Sequence, residues 1–285
     1  MKRILIILAL FSLILPHISM AQGYERIISL YPAHTENLVS LGAIDKLIGI
    51  SRSDSYPENI LTKPRFSYRE DPEKFIAANP DLVLIRPMIE HAYPQFVEKL
   101  QKAGIKVISL QPKTMNDTYL YWQKLAHLVD APKAGDKMVQ TFQQGLKHYQ
   151  EKLTNIPESQ RPKVYFESIH RRMKTFTEGS IALFALEQAG GINVAQGFQV
   201  RNTNIADYGK ERILSHAAEI DVFLAQKGRM NPVTQKTIKD EPGFGAIKAI
   251  ENGKIYLIEE ELVSRPTLRI LTGIQQIHNI LYEEQ

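Results

Sequence analysis

The residues of this chain that could do chemistry fall into two sets, a pair of glutamates and a series of loop side chains. Glu73 and Glu211 stand at the starts of helices, in matched places of the two halves of the chain. A carboxylate at a helix start is favoured by the helix dipole, by roughly 0.3–1 kcal/mol at an exposed site, and that alone could account for both. The second set follows predicted strands. In the first half it comprises Tyr31, His34, Arg52, Tyr56, Tyr68, Arg86, Met88, His91 and Tyr93. In the second half it comprises His170, Arg171, Arg172, Arg201, Arg229 and Met230. Arg86 follows the apolar run LVLI directly, and Arg229 follows VFLA after a short turn. Guanidinium groups are permanently charged, fork-shaped and able to stack on planar groups, which suits an anionic ligand. Arg171 and Arg172 are neighbours, so one of them at most is expected to point inward.

Enzymatic signatures are missing. No G-x-G-x-x-G follows a strand, and neither G-x-x-x-x-G-K-[ST] nor G-x-S-x-G occurs. The 8 histidines lack the H-E-x-x-H spacing, and no tight acidic cluster invites a metal. No catalytic residue, resident metal or cofactor is therefore expected, although two α/β halves with a cleft would also suit a two-domain enzyme. The chain has no cysteine, which excludes disulfides, thiolate metal sites, iron–sulfur clusters and a lipid-bearing cysteine. Lys2 and Arg3, an apolar run from Ile4 to Leu15 and the Ser19-Met20-Ala21 step read as a signal peptide over residues 1–21, cut after Ala21. The formal charge of +4 then falls by two to about +2, no argument for nucleic acid.

These residues are positioned by an alternating pattern. ERIISLYP, KLIGIS, DLVLI and KVISL read as strands separated by helices, with Thr35 expected to cap the first helix. KVYFES, INVA, DVFLA and KIYLIE repeat the pattern in the second half, with HRRMKTFTEG and RPMIEHAYP read as loops. Strands apolar on both faces imply parallel sheets covered on both sides. Between the halves, Met138, Phe142, Leu146, Tyr149 and Leu153 form the apolar stripe of a long helix bracketed by Pro132 and Pro157. Such a rod is either a strut between two lobes or one more core helix. Trp122, on a stripe with Leu125 and Val129, is expected in the core.

The chain resembles the periplasmic substrate-binding proteins of ATP-driven importers for ferric siderophores, haem and cobalamin. The matching segments run in order: RIISLYPAHTENLVSLGAIDKLIGI, DSYPE, DPEKFIAANPDLVLIRP, TEGSIALFALEQAGGINVA, ERILSHAAEIDVFL and IENGKIYLIEEELVSRPTLR. The resemblance implies an α/β fold of two Rossmann-like lobes with parallel sheets, bridged by one long α-helix. It divides the chain into a signal peptide at 1–21, a lobe at 22–131, a linking helix at 132–157 and a lobe at 158–285. It further implies a monomeric periplasmic receptor that holds a metal chelate between the lobes and delivers it to an ABC importer permease. Glu73 and Glu211 would dock on that permease. Tyr31, His34, Arg52, Tyr56, Tyr68, Arg86, Arg171, Arg201 and Arg229 would meet the ligand, with Arg86 and Arg229 the best match to the arginines of ferric-siderophore binders. The ligand is expected to be a ferric siderophore or related iron chelate or corrinoid, with cobalamin or haem as the alternative. Ser53 stands where cobalamin binders tend to carry an aromatic residue, which weakens that alternative.

Overall fold

The computed structural model describes residues 23–196 and 203–283. The expected signal peptide and Arg201 lie outside the described residues. In the first half the elements are β1 (Ile27–Ser29), α1 (Pro32–Ser40), β2 (Leu47–Ser51), β3 (Arg65–Phe66), α2 (Glu73–Ala78), β4 (Leu82–Ile85), α3 (Pro87–Ala92), α4 (Pro94–Lys102) and β5 (Lys106–Ser109). Two helices follow, α5 (Met115–Leu128) and α6 (Pro132–Leu153). The second half holds β6 (Lys163–Ile169), β7 (Lys174–Phe176), α7 (Ile181–Gln188), β8 (Ile192–Asn193), β9 (Ile205–Asp207), α8 (Lys210–Ser215) and β10 (Val222–Lys227). It closes with α9 (Gln235–Lys239), α10 (Lys248–Glu251), β11 (Ile255–Glu259), α11 (Glu260–Val263) and α12 (Ile270–Tyr282).

The first sheet is parallel throughout, in the order β3-β2-β1-β4-β5. The chain leaves β1 toward one edge and returns to β4 on its other side, so β1 and β4 flank the switch point where open α/β sheets bind ligands. The second sheet runs β11-β10-β6-β7-β9, with β8 also paired to β6. Here β6 and β10 are the parallel neighbours at the switch. This sheet departs from the expected all-parallel form, because β7 runs antiparallel to both of its neighbours, β6 and β9. The stretch HRRM between β6 and β7 is far too short for the crossover a parallel pair requires. What reads as a loop is therefore a hairpin, closed by Met173 at φ +47°.

Strand alternation sorts the core into three parts. Ile27, Leu82 and Leu84 of the first sheet and Val164, Phe166, Val222 and Leu224 of the second face one shared cluster. Their alternating neighbours Ile28, Val83 and Ile85 join a separate cluster, and Tyr165, Phe223 and Ala225 join a third. The two-residue side-chain period of a strand explains the split. The buried faces of α1, α5, α6, α7, α11 and α12 complete the shared cluster. The stripe read from the sequence is buried as expected, at Met138, Phe142, Leu146, Tyr149 and Leu153. Gly135 lets α6 approach α5, since a Cβ there would stand 2.6 Å from that of Ala126. At 1.5 Å per residue, the 22 residues of α6 span about 33 Å.

Three local expectations change. The linking helix ends at Leu153 rather than Pro157, because Thr154 caps it and Glu158–Gln160 forms a separate 3-10 turn. Thr35 does not cap α1, which starts at Pro32; it lies buried in the first turn and donates to Ser29 Oγ at 2.8 Å. RPMIEHAYP contains α3, started by Pro87. Trp122, in contrast, is fully buried as expected.

Phe142 of α6 packs on α5 and α7, with ring centroids 5.3 Å from Trp122, 6.1 Å from Tyr119 and 6.4 Å from Phe184. Phe142→Ala should lower the unfolding free energy by about 3–5 kcal/mol, the usual loss for a buried aromatic. Urea denaturation followed by circular dichroism measures it; a loss below about 1 kcal/mol would remove Phe142 from the joint.

Candidate functional site

At the switch point of the first sheet, β1 delivers Tyr31 and β4 delivers Arg86. The Arg86 guanidinium carbon lies 5.0 Å from the centre of the Tyr31 ring, a cation–π distance. Burial raises the Tyr31 pKa, and the Arg86 charge beside it acts in the opposite sense. Arg86 itself is half-buried, and its Nε is without a hydrogen-bond partner among the described residues. At the switch point of the second sheet, β10 is followed by Gly228 and an exposed Arg229.

The carboxyl edges of the two sheets face each other. Arg229 Nη1 donates to Ser53 Oγ at 3.2 Å, which links the loop after β10 to the loop after β2. Ser55 Oγ donates to the Glu261 carboxylate at 2.6 Å, which links the same loop to α11. The residues of these loops therefore look into one cleft between the halves. Two surface hollows of about 440 and 300 Å³ lie elsewhere, one beside Leu153 and Glu187, the other beside Pro162 and Asp221. Both sit away from the loops that carry the candidate residues, so neither bears on the cleft.

The remaining candidates are placed as follows. Tyr68 is half-buried and packs on Tyr93, ring centroids 4.8 Å apart, with Arg69 5.5 Å above it. Tyr56 is 46% exposed and lies beneath Arg269, whose guanidinium carbon is 4.3 Å from the ring centre. Arg52 is exposed but paired with Glu70 of its own half. Arg171 is exposed in the turn between β6 and β7. Met88 and Met230, 41% and 58% exposed, stand just beyond Arg86 and Arg229. His91 is exposed, and its Nδ1 lies 2.6 Å from the Pro87 carbonyl. Glu73 and Glu211 are exposed in the first turns of α2 and α8.

His34 is a correction. It is completely buried, so it has no surface to offer a ligand. Its Nε2 lies 3.0 Å from the Ile85 carbonyl, which only a donor can satisfy, so Nδ1 accepts from the Tyr121 hydroxyl at 2.7 Å. Asn37 donates in turn to that hydroxyl at 3.3 Å. His34 thereby ties α1 to the residue preceding Arg86. Burial lowers its pKa to about 4.

Some polar residues of this edge carry little sequence signal. Asp54 is buried, accepts from Ser51 N at 2.7 Å and from Ser51 Oγ at 2.5 Å, and is raised in pKa by that burial. Glu36, 3% exposed, meets Arg265 at 2.7 Å. Arg265 and Arg269 are visible as an i, i+4 pair, but their partner Glu36 is 229 residues away from Arg265.

A two-half α/β chain with facing carboxyl edges and loop-borne cations has the form of a cleft-binding receptor. Residues 27–262 match the model of the periplasmic binding protein family, and the chain belongs to that family. It is accordingly a substrate-binding protein of transport rather than an enzyme. An uncharacterized ABC transporter substrate-binding lipoprotein, YvrC of Bacillus subtilis, is 24% identical over 91% of this chain and 81% of its own. The vitamin B12-binding protein of Vibrio cholerae is 24% identical over 89% of this chain and 87% of its own. Among solved structures, a possible iron-binding periplasmic solute-binding protein from Staphylococcus epidermidis aligns with TM-score 0.79 at 24% identity, covering 92% of this chain and all of that one. The periplasmic haem-binding protein HutB of Vibrio cholerae aligns with TM-score 0.77 at 18% identity, covering 90% and 98%. The fold is thus shared with known receptors.

The lowered pKa of His34 has a measurable sign. The unfolded imidazole titrates near 6.5, so its contribution to stability is complete above that pH. It is lost as pH falls from 6.5 toward 4, by an amount on the order of 3 kcal/mol. In a histidine-resolved NMR titration the His34 ring should remain neutral at pH 5.5; a midpoint near 6.5 would contradict the buried, neutral assignment.

Proposed function

We propose that this chain is the periplasmic solute-binding component of an ABC importer, and that its cargo is an anionic metal chelate of the ferric-siderophore kind. The cargo sits between two lobes, residues 22–131 and 158–285, joined through the linking helix. The receptor acts as a monomer and reaches the periplasm by a signal peptide cut near Ala21. One observation carries the choice of cargo. Arg86 and Arg229 each follow the strand at the switch point of their own sheet, and the two edges face each other. Two forked cations on opposite walls are matched by a ligand with negative oxygens on opposite sides, as ferric catecholates and carboxylates have. Tyr56 and Tyr68 add flat surface for the organic periphery, Tyr31 lies buried behind Arg86, and Arg171 adds outlying positive charge. A second reading, a corrinoid, is favoured by the vitamin B12-binding relatives, which align over about nine-tenths of the chain.

Permease docking falls to Glu73 and Glu211. Both are exposed at helix starts, where the dipole favours a negative charge, and paired charges on a partner would set register and encounter rate.

Isothermal titration with a ferric catecholate, a ferric hydroxamate, haemin and cyanocobalamin separates the readings. The Arg86→Ala/Arg229→Ala variant should lose about 100-fold in affinity for the ferric catecholate, the scale of truncating desolvated charge partners. Undiminished binding would remove the arginine assignment, and saturation by cyanocobalamin alone would select the corrinoid. Glu73→Arg/Glu211→Arg should abolish cellular uptake while chelate affinity stays unchanged; normal uptake would dismiss the docking role.

A further inference from the structure

The facing edges of the two sheets are joined by a set of charges that ligand capture does not use. Glu36 of α1 is 3% exposed, and its carboxylate meets Arg265 at 2.7 Å and Arg269 at 3.6 Å. Both arginines also reach Glu261 of α11, at 2.9 and 3.3 Å. Between them, the carbonyl of Pro266 accepts from Asn37 Nδ2 and from Trp122 Nε1, each at 3.0 Å. A segment of the second half, from Glu261 to Arg269, is thus laid across α1 and α5 of the first.

From this segment two contacts rise to the loop after β2. Glu261 accepts from Ser55 Oγ at 2.6 Å, and Arg269 lies over the Tyr56 ring at 4.3 Å. The base of that loop is held by its own half, where Arg65 Nη1 donates to the carbonyls of Ser51 at 3.2 Å and Asp54 at 3.1 Å. Its tip, at Ser55 and Tyr56, is met by the opposite half. A buried carboxylate with two arginines is hard to rearrange, because removing one partner leaves charge uncompensated in a low dielectric. Burial tends to neutralise Glu36, and the charge of Arg265 works against that. Burial likewise opposes the Glu261 charge, but Ser55, Arg265 and Arg269 together hold its pKa below the ordinary carboxylate range.

We propose that Arg265 and Arg269, fixed by Glu36 and Glu261, are positioning residues that set the Tyr56 wall of the cleft from the opposite half of the molecule. The shape of that wall then follows the relative placement of the two halves, rather than the first sheet alone. The assignment rests on the cleft reading above for the role of Tyr56, but its test needs no ligand, so the two can fail separately.

The test is hydrogen exchange, followed by mass spectrometry, on the purified full chain. In Arg269→Gln/Ser55→Ala, amides of residues 52–60 should exchange about ten-fold faster, while those of β4 and β6 keep their rates. Arg269→Lys keeps a cation over the ring but loses the fork, and should recover part of the protection. Unchanged exchange at 52–60 would overturn the proposal. So would an acceleration spread evenly over both sheets, which would mean a loosened fold instead of a released loop. Glu261→Gln, which leaves both arginines and Tyr56 in place, provides a second route to the same loop acceleration if the double variant folds poorly.

Discussion

Everything in this molecule depends on two sheets sharing one apolar core. The inner faces of β1, β4, β6 and β10 all contribute to it together with the buried faces of α1, α5, α6, α7, α11 and α12, and Trp122 and Phe142 pack on each other within it. A core of this kind cannot be divided without exposing large aromatic surface to water, at about 25 cal/mol for each Å². The halves are therefore held at one spacing by packing as much as by the rod of α6. That spacing brings the carboxyl edges face to face and lets Arg229 and Ser53 meet across the cleft. The strut and the core are one feature, since the apolar stripe of α6 lies inside the core that joins the halves.

Much of the frame was legible because it rests on local rules. The stripe on α6 and the buried strands are patterns of period 3.6 and period 2. The misses have equally local causes. The β6–β7 hairpin hides in HRRMKTF because a turn of four residues rich in Arg resembles any solvated loop. Thr35 looked like a cap because helix starts favour threonine, but Pro32 had already opened α1 and a buried serine took the hydroxyl.

The site was less legible than the frame. Arg86 and Arg229 could be singled out, since each follows an apolar run that needs no neighbour to be recognised. His34 could not be told from a ligand residue, because its burial is decided by Tyr121, which is 87 residues away. The Glu36–Arg265–Arg269 group was equally hidden. Ion pairing between distant segments has no period, and an arginine four residues from another reads as an ordinary helix surface. Family membership fixes the role of receptor; the loops decide the cargo, and loops carry the least pattern.

One buried side chain gives the molecule an internal signal. Trp122 is the only tryptophan of the chain, and it sits in the joint with its indole nitrogen bound to a carbonyl from the other half. Its emission is thus an optical gauge of how firmly the two halves are seated, not a direct monitor of what lies between them. A cargo could enter and leave with little change in that light, whereas any parting of the halves would register at once.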